Sequence, residues 1–532
     1  MKLAKRSNKA MSNPIRSILS RRQVLWTSAA LGWLPTLRAA TNSTVNASGN
    51  IYEKIGVRPV INCRGTYTVI GGSLELPEVS AAQQAAAQHF VQLDELADGV
   101  GQRLAELTGA PWGMVPSGCA AGLAHATAAC IAGGNPDLHT RIPDLRGFAK
   151  DEVVIPTHSR NEYDAAVRSI GVRITEVADA KQYEEALGPR VAMVYVLAGP
   201  EAETGRLTYD TLYSLAKARN IPVLVDAAAE ILTIPNVHLQ RGATLVGYSG
   251  GKCIRGPQSS GLLLGRKDLV KAAWVHSAPH HGYGRTMKVG KEEAMGMLAA
   301  VEAWSRRDHA AEWKEWISWM NHIASVVGPV DGVSCSIEET KELSNQTPEL
   351  NIKWDTSKIG ISGMDVERAL FAGEPRITLF GRNGGSEAGV SITAYMMQPG
   401  DAAVVAQKLH EALSKASGSV LARDTTPPAS QIAGEWDVTI QFAASVSQHG
   451  FYLTQDNSEL TGSHRGDFLT RDVSGSLHGN TLKLVSRIGE EHGAAITYTF
   501  TGSVKDGSLG GDLSLGEYRS ATWTATPHKT RT

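Results

Sequence analysis

From about residue 51 to residue 414, helical patterns alternate with short, uninterrupted apolar runs. That rhythm confines the segment to an α/β fold, because an apolar run of strand length needs cover on both faces and the intervening helices supply it. Glu152–Ile155, Val191–Leu197, Pro222–Val225, Thr244–Tyr248 and Gly261–Leu264 are the strand candidates of a mostly parallel sheet. Pro77 to Leu107 reads as helix, with Phe90, Val91, Leu93 and Leu96 as apolar positions and Gly109-Ala110-Pro111 as its stop. Ala310 to Leu413 reads as a smaller α+β unit that closes with an apolar strand, Val390–Tyr395, and an amphipathic helix, Ala402–Leu413. The large domain is accordingly placed at residues 51–309 and the small one at 310–414.

A Ser/Ala/Thr/Pro-rich stretch at 415–431, with Pro427-Pro428, marks a boundary. Beyond it, residues 432–532 change character: polar and apolar residues alternate between turn signals such as Thr461-Gly-Ser, Ser474-Gly-Ser and Thr501-Gly-Ser. This pattern predicts a small antiparallel barrel or sandwich with Trp436, Tyr452, Leu482, Phe500 and Trp523 in its core, and no acid/base pair or metal cluster within it.

The first 40 residues carry eight basic side chains and no acidic one. Ser20-Arg21-Arg22-Gln23-Val24-Leu25 sets paired arginines directly before an apolar run, Val24 to Leu37, with Ala39 and Ala40 as a cleavage region. The run is shorter than the roughly 20 apolar residues that span a bilayer. The segment therefore reads as a cleaved twin-arginine export leader, not a membrane anchor, followed by a linker at 41–50. Subtracting its eight charges from the formal net charge of -1 leaves -9, which argues against a nucleic-acid partner. A periplasmic or exported location follows, and a route that carries folded proteins suits a body that captures a cofactor beforehand. Five cysteines without a CxxC pair fit neither a disulfide framework nor a thiolate zinc site.

Three separated motifs carry chemistry. In Val246-Gly-Tyr-Ser-Gly-Gly-Lys-Cys-Ile-Arg-Gly-Pro-Gln, Lys252 follows a strand end and two glycines, which let backbone approach a bulky ligand while the amine forms an imine with an aldehyde. A nucleotide-binding loop fails there, because Val246 stands where its first glycine is required and Cys253 replaces its Ser or Thr. Asp226 ends the buried run Ile221-Pro-Val-Leu-Val-Asp, where a carboxylate is costly unless it meets a cation such as a pyridinium nitrogen. Val115-Pro-Ser-Gly-Cys-Ala-Ala-Gly enters an Ala-rich helix, Ala120 to Ile131, whose free N–H groups and Ser117 form a phosphate cradle.

In that order, with Lys252 26 residues after Asp226, the motifs resemble fold-type I pyridoxal-phosphate enzymes. The resemblance sharpens to the selenocysteine-synthase-like branch, which includes D-glucosaminate-6-phosphate ammonia lyase-like proteins. Ile61-Asn62-Cys63-Arg64-Gly65-Thr66 with Gly71-Gly72-Ser73, the run His89–Leu96, Pro116–Ala121, and Ser249–Lys252 followed by Gly256-Pro257-Gln258 carry it over nearly all of 51–414. It implies pyridoxal 5'-phosphate as cofactor, with Lys252 the imine lysine, Asp226 the pyridinium partner, and Ser117, Gly118, Cys119 and Ser249 beside the phosphate. The imidazole that stacks on the ring corresponds to His158, displaced by a residue from the usual position.

The resemblance also implies a homo-oligomer with sites at its interfaces, so that Arg285 or Lys288, in the polar loop His276–Lys288, reaches a phosphate or carboxylate. Pro279 and the glycines of that loop exclude a helical face on which His276 and His280 could share a metal, so none is expected. Arg376, at a turn before a small-domain strand, is a candidate for a substrate carboxylate, with an ion pair to Glu374 as the alternative. The reaction implied is β-elimination or replacement on an amino acid or amino sugar acid, of ammonia-lyase or selenocysteine-synthase type. Transamination, aldol cleavage and racemisation start from the same chemistry, and a non-catalytic exported binding protein is the alternative of another class. The module that bacterial selenocysteine synthases use to hold transfer RNA has no counterpart here, because leader and linker occupy its place.

Overall fold

A computed structural model describes residues 50–384, 386–421, 424–487 and 497–529. The expected leader lies outside the described residues. Residues 50–58 belong to a separate short unit with one 3-10 turn at Glu53–Ile55, and the body runs from Pro59 onward.

The large sheet has seven strands in the order Trp112–Met114, Gly261–Gly265, Leu245–Ser249, Val223–Asp226, Val191–Leu197, Glu152–Pro156 and Arg173–Val177. The last five run parallel, and Gly261–Gly265 and Trp112–Met114 join antiparallel. Successive side chains of a strand point to opposite faces. Val154, Val194, Val196, Val223, Val225, Val246 and Leu264 accordingly enter one core, while Val153, Ile155, Met193, Tyr195, Leu224, Leu245 and Leu263 enter the other. The five expected strands are present within a residue or two. Arg173–Val177 escapes a search for apolar runs because it is an edge strand with Arg173 and Glu176 exposed.

The long helix expected over Pro77–Leu107 is two, Pro77–Ala86 and Leu93–Thr108. Gln92 caps the second by accepting from the Glu95 N–H at 2.6 Å, so the chain between them cannot continue the first helix. Phe90 and Val91, apolar positions of the expected helix, are exposed in that break.

In the small domain a four-stranded antiparallel sheet, ordered Phe380–Gly384, Glu387–Thr393, Pro348–Asp355 and Val333–Glu339, packs with helices His309–Val327 and Asp401–Ala416 around Trp354, Ile352, Ile392 and Leu409. Cys63 lies in this core, and Ile61–Asn62 pairs in parallel with Ile377–Thr378. All five cysteines are free, with Cys63 and Cys119 buried.

The C-terminal region is a closed barrel of eight antiparallel strands, its first strand, Gly434–Gln441, pairing with its last, Ser520–Pro527. Trp436, Leu482, Phe500 and Trp523 point inward as expected, but Tyr452 is exposed, because Phe451 and Leu453 on either side of it take the inward positions. Among the described residues, no helix is long and apolar enough to cross a membrane.

Candidate active site

Asp226 ends the central Val223–Asp226 strand and is 2% exposed. Its Oδ2 accepts from the Tyr195 hydroxyl at 2.9 Å, and its Oδ1 from the Ala228 N–H at 3.1 Å and the Cys119 thiol at 3.6 Å. Burial pushes its pKa up, while those donors and the nearby Lys252 charge pull it back toward the ionised form. Asn161 donates to the Tyr195 oxygen at 3.0 Å and to the Ser159 carbonyl at 2.8 Å, tying the turn after the Glu152–Pro156 strand to the carboxylate. His158 sits on that turn, half-buried, with its Nε2 enclosed and unpartnered. Burial lowers its pKa, and Glu201 opposes the shift.

Cys119 opens the helix Cys119–Ala132, and Gly118 before it adopts φ 99°, a conformation that favours glycine. The turn lies flat on the neighbouring strand: the Gly261 N–H donates to the Pro116 carbonyl at 2.9 Å. A side chain at Gly261 would stand 2.6 Å from the Gly118 carbonyl carbon and 2.8 Å from the Cys119 nitrogen. Only glycine permits that approach, which turns the helix mouth toward Asp226. Burial raises the Cys119 thiol pKa, with Asp226 adding and Lys252 opposing. Lys252 thus shares electrostatic reach with both the carboxylate and the helix start.

Lys252 is half-buried in the turn after the Leu245–Ser249 strand. Gly251 offers its carbonyl to the Ser73 N–H at 3.0 Å, and Gly72 lies so close to Gln258 that any side chain there would collide with it. Gly71-Gly72-Ser73 therefore forms a wall of the lysine turn. Ser249 is half-buried at the strand end.

Ser117 donates its hydroxyl to the Met287 carbonyl at 3.0 Å, which binds the His276–Lys288 loop to the helix mouth. Arg285 and Lys288 are exposed on that loop. Arg376 makes none of these contacts; its guanidinium lies 4.7 Å from the Phe371 ring centre and its Nε is buried and unpartnered. His276 packs against His139, whereas His280 meets Asp94 at 3.2 Å, so the two histidines do not converge. Among the described residues no cluster could hold a metal ion.

The structure thus brings together Lys252, Asp226, Cys119, Gly118 and Ser117. Sequence reasoning missed Tyr195 and Asn161; the available signal was a lone hydroxyl within the apolar run Val191–Leu197, one strand from Asp226. The residues fit pyridoxal phosphate: a buried carboxylate served only by neutral hydrogen-bond donors, an orphan imidazole, and an open helix start beside an amine.

Residues 153–296 match the aminotransferase class-V family. A D-glucosaminate-6-phosphate ammonia lyase of Salmonella typhimurium is 31% identical over 373 residues, 68% of this chain and 97% of the lyase. A 5'-C-glycyluridine monooxygenase-decarboxylase of a Streptomyces species is 30% identical over 62% of this chain and 83% of its own length. A solved D-glucosaminate-6-phosphate ammonia-lyase superposes with a TM-score of 0.61 at 29% identity, covering 69% of this chain and 99% of that one. Fold and matches together define an aminotransferase-like class. Within it, the chain belongs to the fold-type I pyridoxal-phosphate family that unites these lyases with the selenocysteine synthases.

Proposed function

We propose that the chain binds pyridoxal 5'-phosphate through Lys252 and catalyses β-elimination or replacement on an amino acid or amino sugar acid. The observation that carries this reading is the meeting of amine, buried carboxylate and helix mouth, with Cys119 touching Asp226 and Lys252 in reach of both. When bound, the cofactor supplies an electron sink for a bond broken at the substrate's α-carbon.

The protein's residues do the rest. Asp226, whose carboxylate accepts from Tyr195 and Ala228, would hold the proton of the cofactor's ring nitrogen. The N–H groups at the start of Cys119–Ala132 bind the phosphate. Lys252 would hold the cofactor and, at its Nζ, would take the substrate's α-proton and return one to the leaving group. His158, whose buried Nε2 lacks a partner, would help hold the cofactor's ring.

Elimination is favoured over transamination, aldol cleavage or racemisation because the ammonia-lyase relative aligns over 97% of its own length. Exposed Leu74 adjoins the lysine turn, and exposed Phe90 and Val91 lie in the break between Pro77–Ala86 and Leu93–Thr108; these apolar side chains support a homo-oligomer. Arg285, Lys288 and Arg376 are the cations assigned to substrate anions. The leader directs export by the twin-arginine machinery. The test is a screen of amino acids and amino sugar acids with the cofactor-loaded protein, reading ammonia and keto-acid release. Release of both from one class supports the reading, and a protein that takes up the cofactor yet turns over none contradicts the elimination assignment.

A further inference from the structure

The inward face of the C-terminal barrel changes character at one end. Along most of its depth the inward positions are apolar, among them Phe451 and Leu453, Leu460, Val473, Leu482 and Leu484, and Phe500. A step further along five consecutive strands, the period-2 pattern places His449, His464, Arg471, Ser486 and Tyr498 at inward positions instead. Register puts them in one layer: His464 lies directly opposite Arg471, and Ser486 opposite Tyr498.

Three of these groups connect in a chain that ends facing Asp467. Ser486 Oγ lies 2.9 Å from His464 Nδ1, His464 Nε2 lies 2.7 Å from His449 Nδ1, and His449 Nε2 faces Asp467 at 3.6 Å. Burial keeps both imidazoles below the ordinary histidine range, with Asp467 opposing it at His449 and the His449 ring, then the Arg471 charge, adding to it at His464, which lies at about 3. Neutral rings allow donation in either direction along Ser486, His464 and His449, and the Asp467 carboxylate favours the direction toward itself while standing beyond hydrogen-bond distance of His449 Nε2. Asp467 is also occupied by the Ser447 hydroxyl at 2.6 Å.

Arg471 is the exception. Only 9% exposed, it stacks over the Tyr498 ring at 4.9 Å, its Nε is buried without a hydrogen-bond partner, and no carboxylate among the described residues pairs with it. A buried guanidinium is expensive unless an anion compensates it. Gly466 holds the adjoining turn against this layer: a side chain there would stand 2.9 Å from Arg471 Nη1 and 3.4 Å from His449.

We propose that this end of the barrel is a binding site for a small oxyanion, a carboxylate or a phosphate, received by the planar fork of Arg471 beside Tyr498 and the fixed imidazole pair. The site is built from barrel residues alone and gives the barrel a recognition role of its own.

Calorimetric titration of the full-length protein tests it, with pyridoxal phosphate already added so that the cofactor's phosphate cradle does not contribute. Inorganic phosphate and acetate are the probes, and neutral acetamide is the control. The expected result is saturable binding of at least one anion, about tenfold or more weaker in Arg471→Gln and intermediate in Arg471→Lys, which keeps the charge but loses the fork. The tighter anion identifies the source, and acetamide gives no saturable heat. Equal titrations of wild type and Arg471→Gln overturn the proposal. Should that variant fail to fold, NMR of histidine-labelled wild type replaces it: anion must shift the His449 and His464 ring signals, and unmoved signals at millimolar anion overturn the proposal equally.

Discussion

Tyr195 governs how Asp226 presents its charge, because it is the one side-chain hydroxyl on that buried carboxylate and is itself steadied by Asn161. A hydrogen bond to a charged group is worth about 1.5–3 kcal/mol. Tyr195→Phe is therefore expected to weaken pyridoxal-phosphate binding by roughly 10- to 100-fold, measured by absorbance titration, with the fold retained. Gly261→Ala acts on the other side of the site: its methyl group would meet the Gly118 and Cys119 backbone, and overpacking of this kind costs about 1–3 kcal/mol. Thermal melts should show that loss together with weaker phosphate capture. Lys252, Asp226 and Ser117–Cys119 are legible in the sequence because glycines and a strand-end charge have few bland uses in that order. Tyr195 is not, because a tyrosine in an apolar run is indistinguishable from core until the fold carries its hydroxyl to Asp226.

At the scale of elements, three histidines from separate segments meet under the loop that Ser117 anchors. His125 lies on the Cys119–Ala132 helix, His139 ends Pro136–His139, and His276 follows Lys267–Val275. His139 Nδ1 pairs with His276 Nδ1, while both nitrogens of His125 and Nε2 of His276 are buried without partners. Burial holds His125 at about 4 and His276 at about 3, with the neighbouring imidazoles adding to the effect. Above the unfolded value of about 6.5 these rings are neutral in both states; below it the unfolded chain binds protons that the native chain refuses, so stability falls as pH drops toward 4. The loss is up to about 1.4 kcal/mol per pH unit for each group. These two rings should contribute about 3–4 kcal/mol to the difference in stability of the catalytic body between urea titrations at pH 7.5 and 5, and His125→Leu should lessen that difference. The polarity of the His276–Lys288 loop was legible, but its pairing with His139 was not, because 137 residues separate the two histidines. The break between Pro77–Ala86 and Leu93–Thr108 was hidden similarly: Ala and Gln favour helix on both sides, and only the Gln92 cap divides them.

At the scale of the molecule, alternating apolar runs announced the large sheet and period-2 patterning announced the barrel, since both signals report which faces must be covered. The polar layer inside the barrel was not legible, because histidine and arginine at inward positions read as outward ones until register is known. The barrel has its own core, so calorimetry should resolve its unfolding from that of the catalytic body. Phe500→Ala, which empties the ring that meets Phe451 and Trp523, should lower the barrel transition alone, at a cost of about 3–5 kcal/mol. For the leader, replacing Arg21 and Arg22 by Lys should leave the protein in the cytoplasm by fractionation; continued export would contradict the twin-arginine assignment. The central claim is that one amine, one buried carboxylate and one helix mouth hold a single cofactor. Borohydride reduction of the protein incubated with pyridoxal phosphate, followed by peptide mass mapping, tests it most directly. The account predicts a phosphopyridoxyl group on Lys252, absent from Lys252→Ala; an unlabelled Lys252, or a label confined to other lysines, would contradict it.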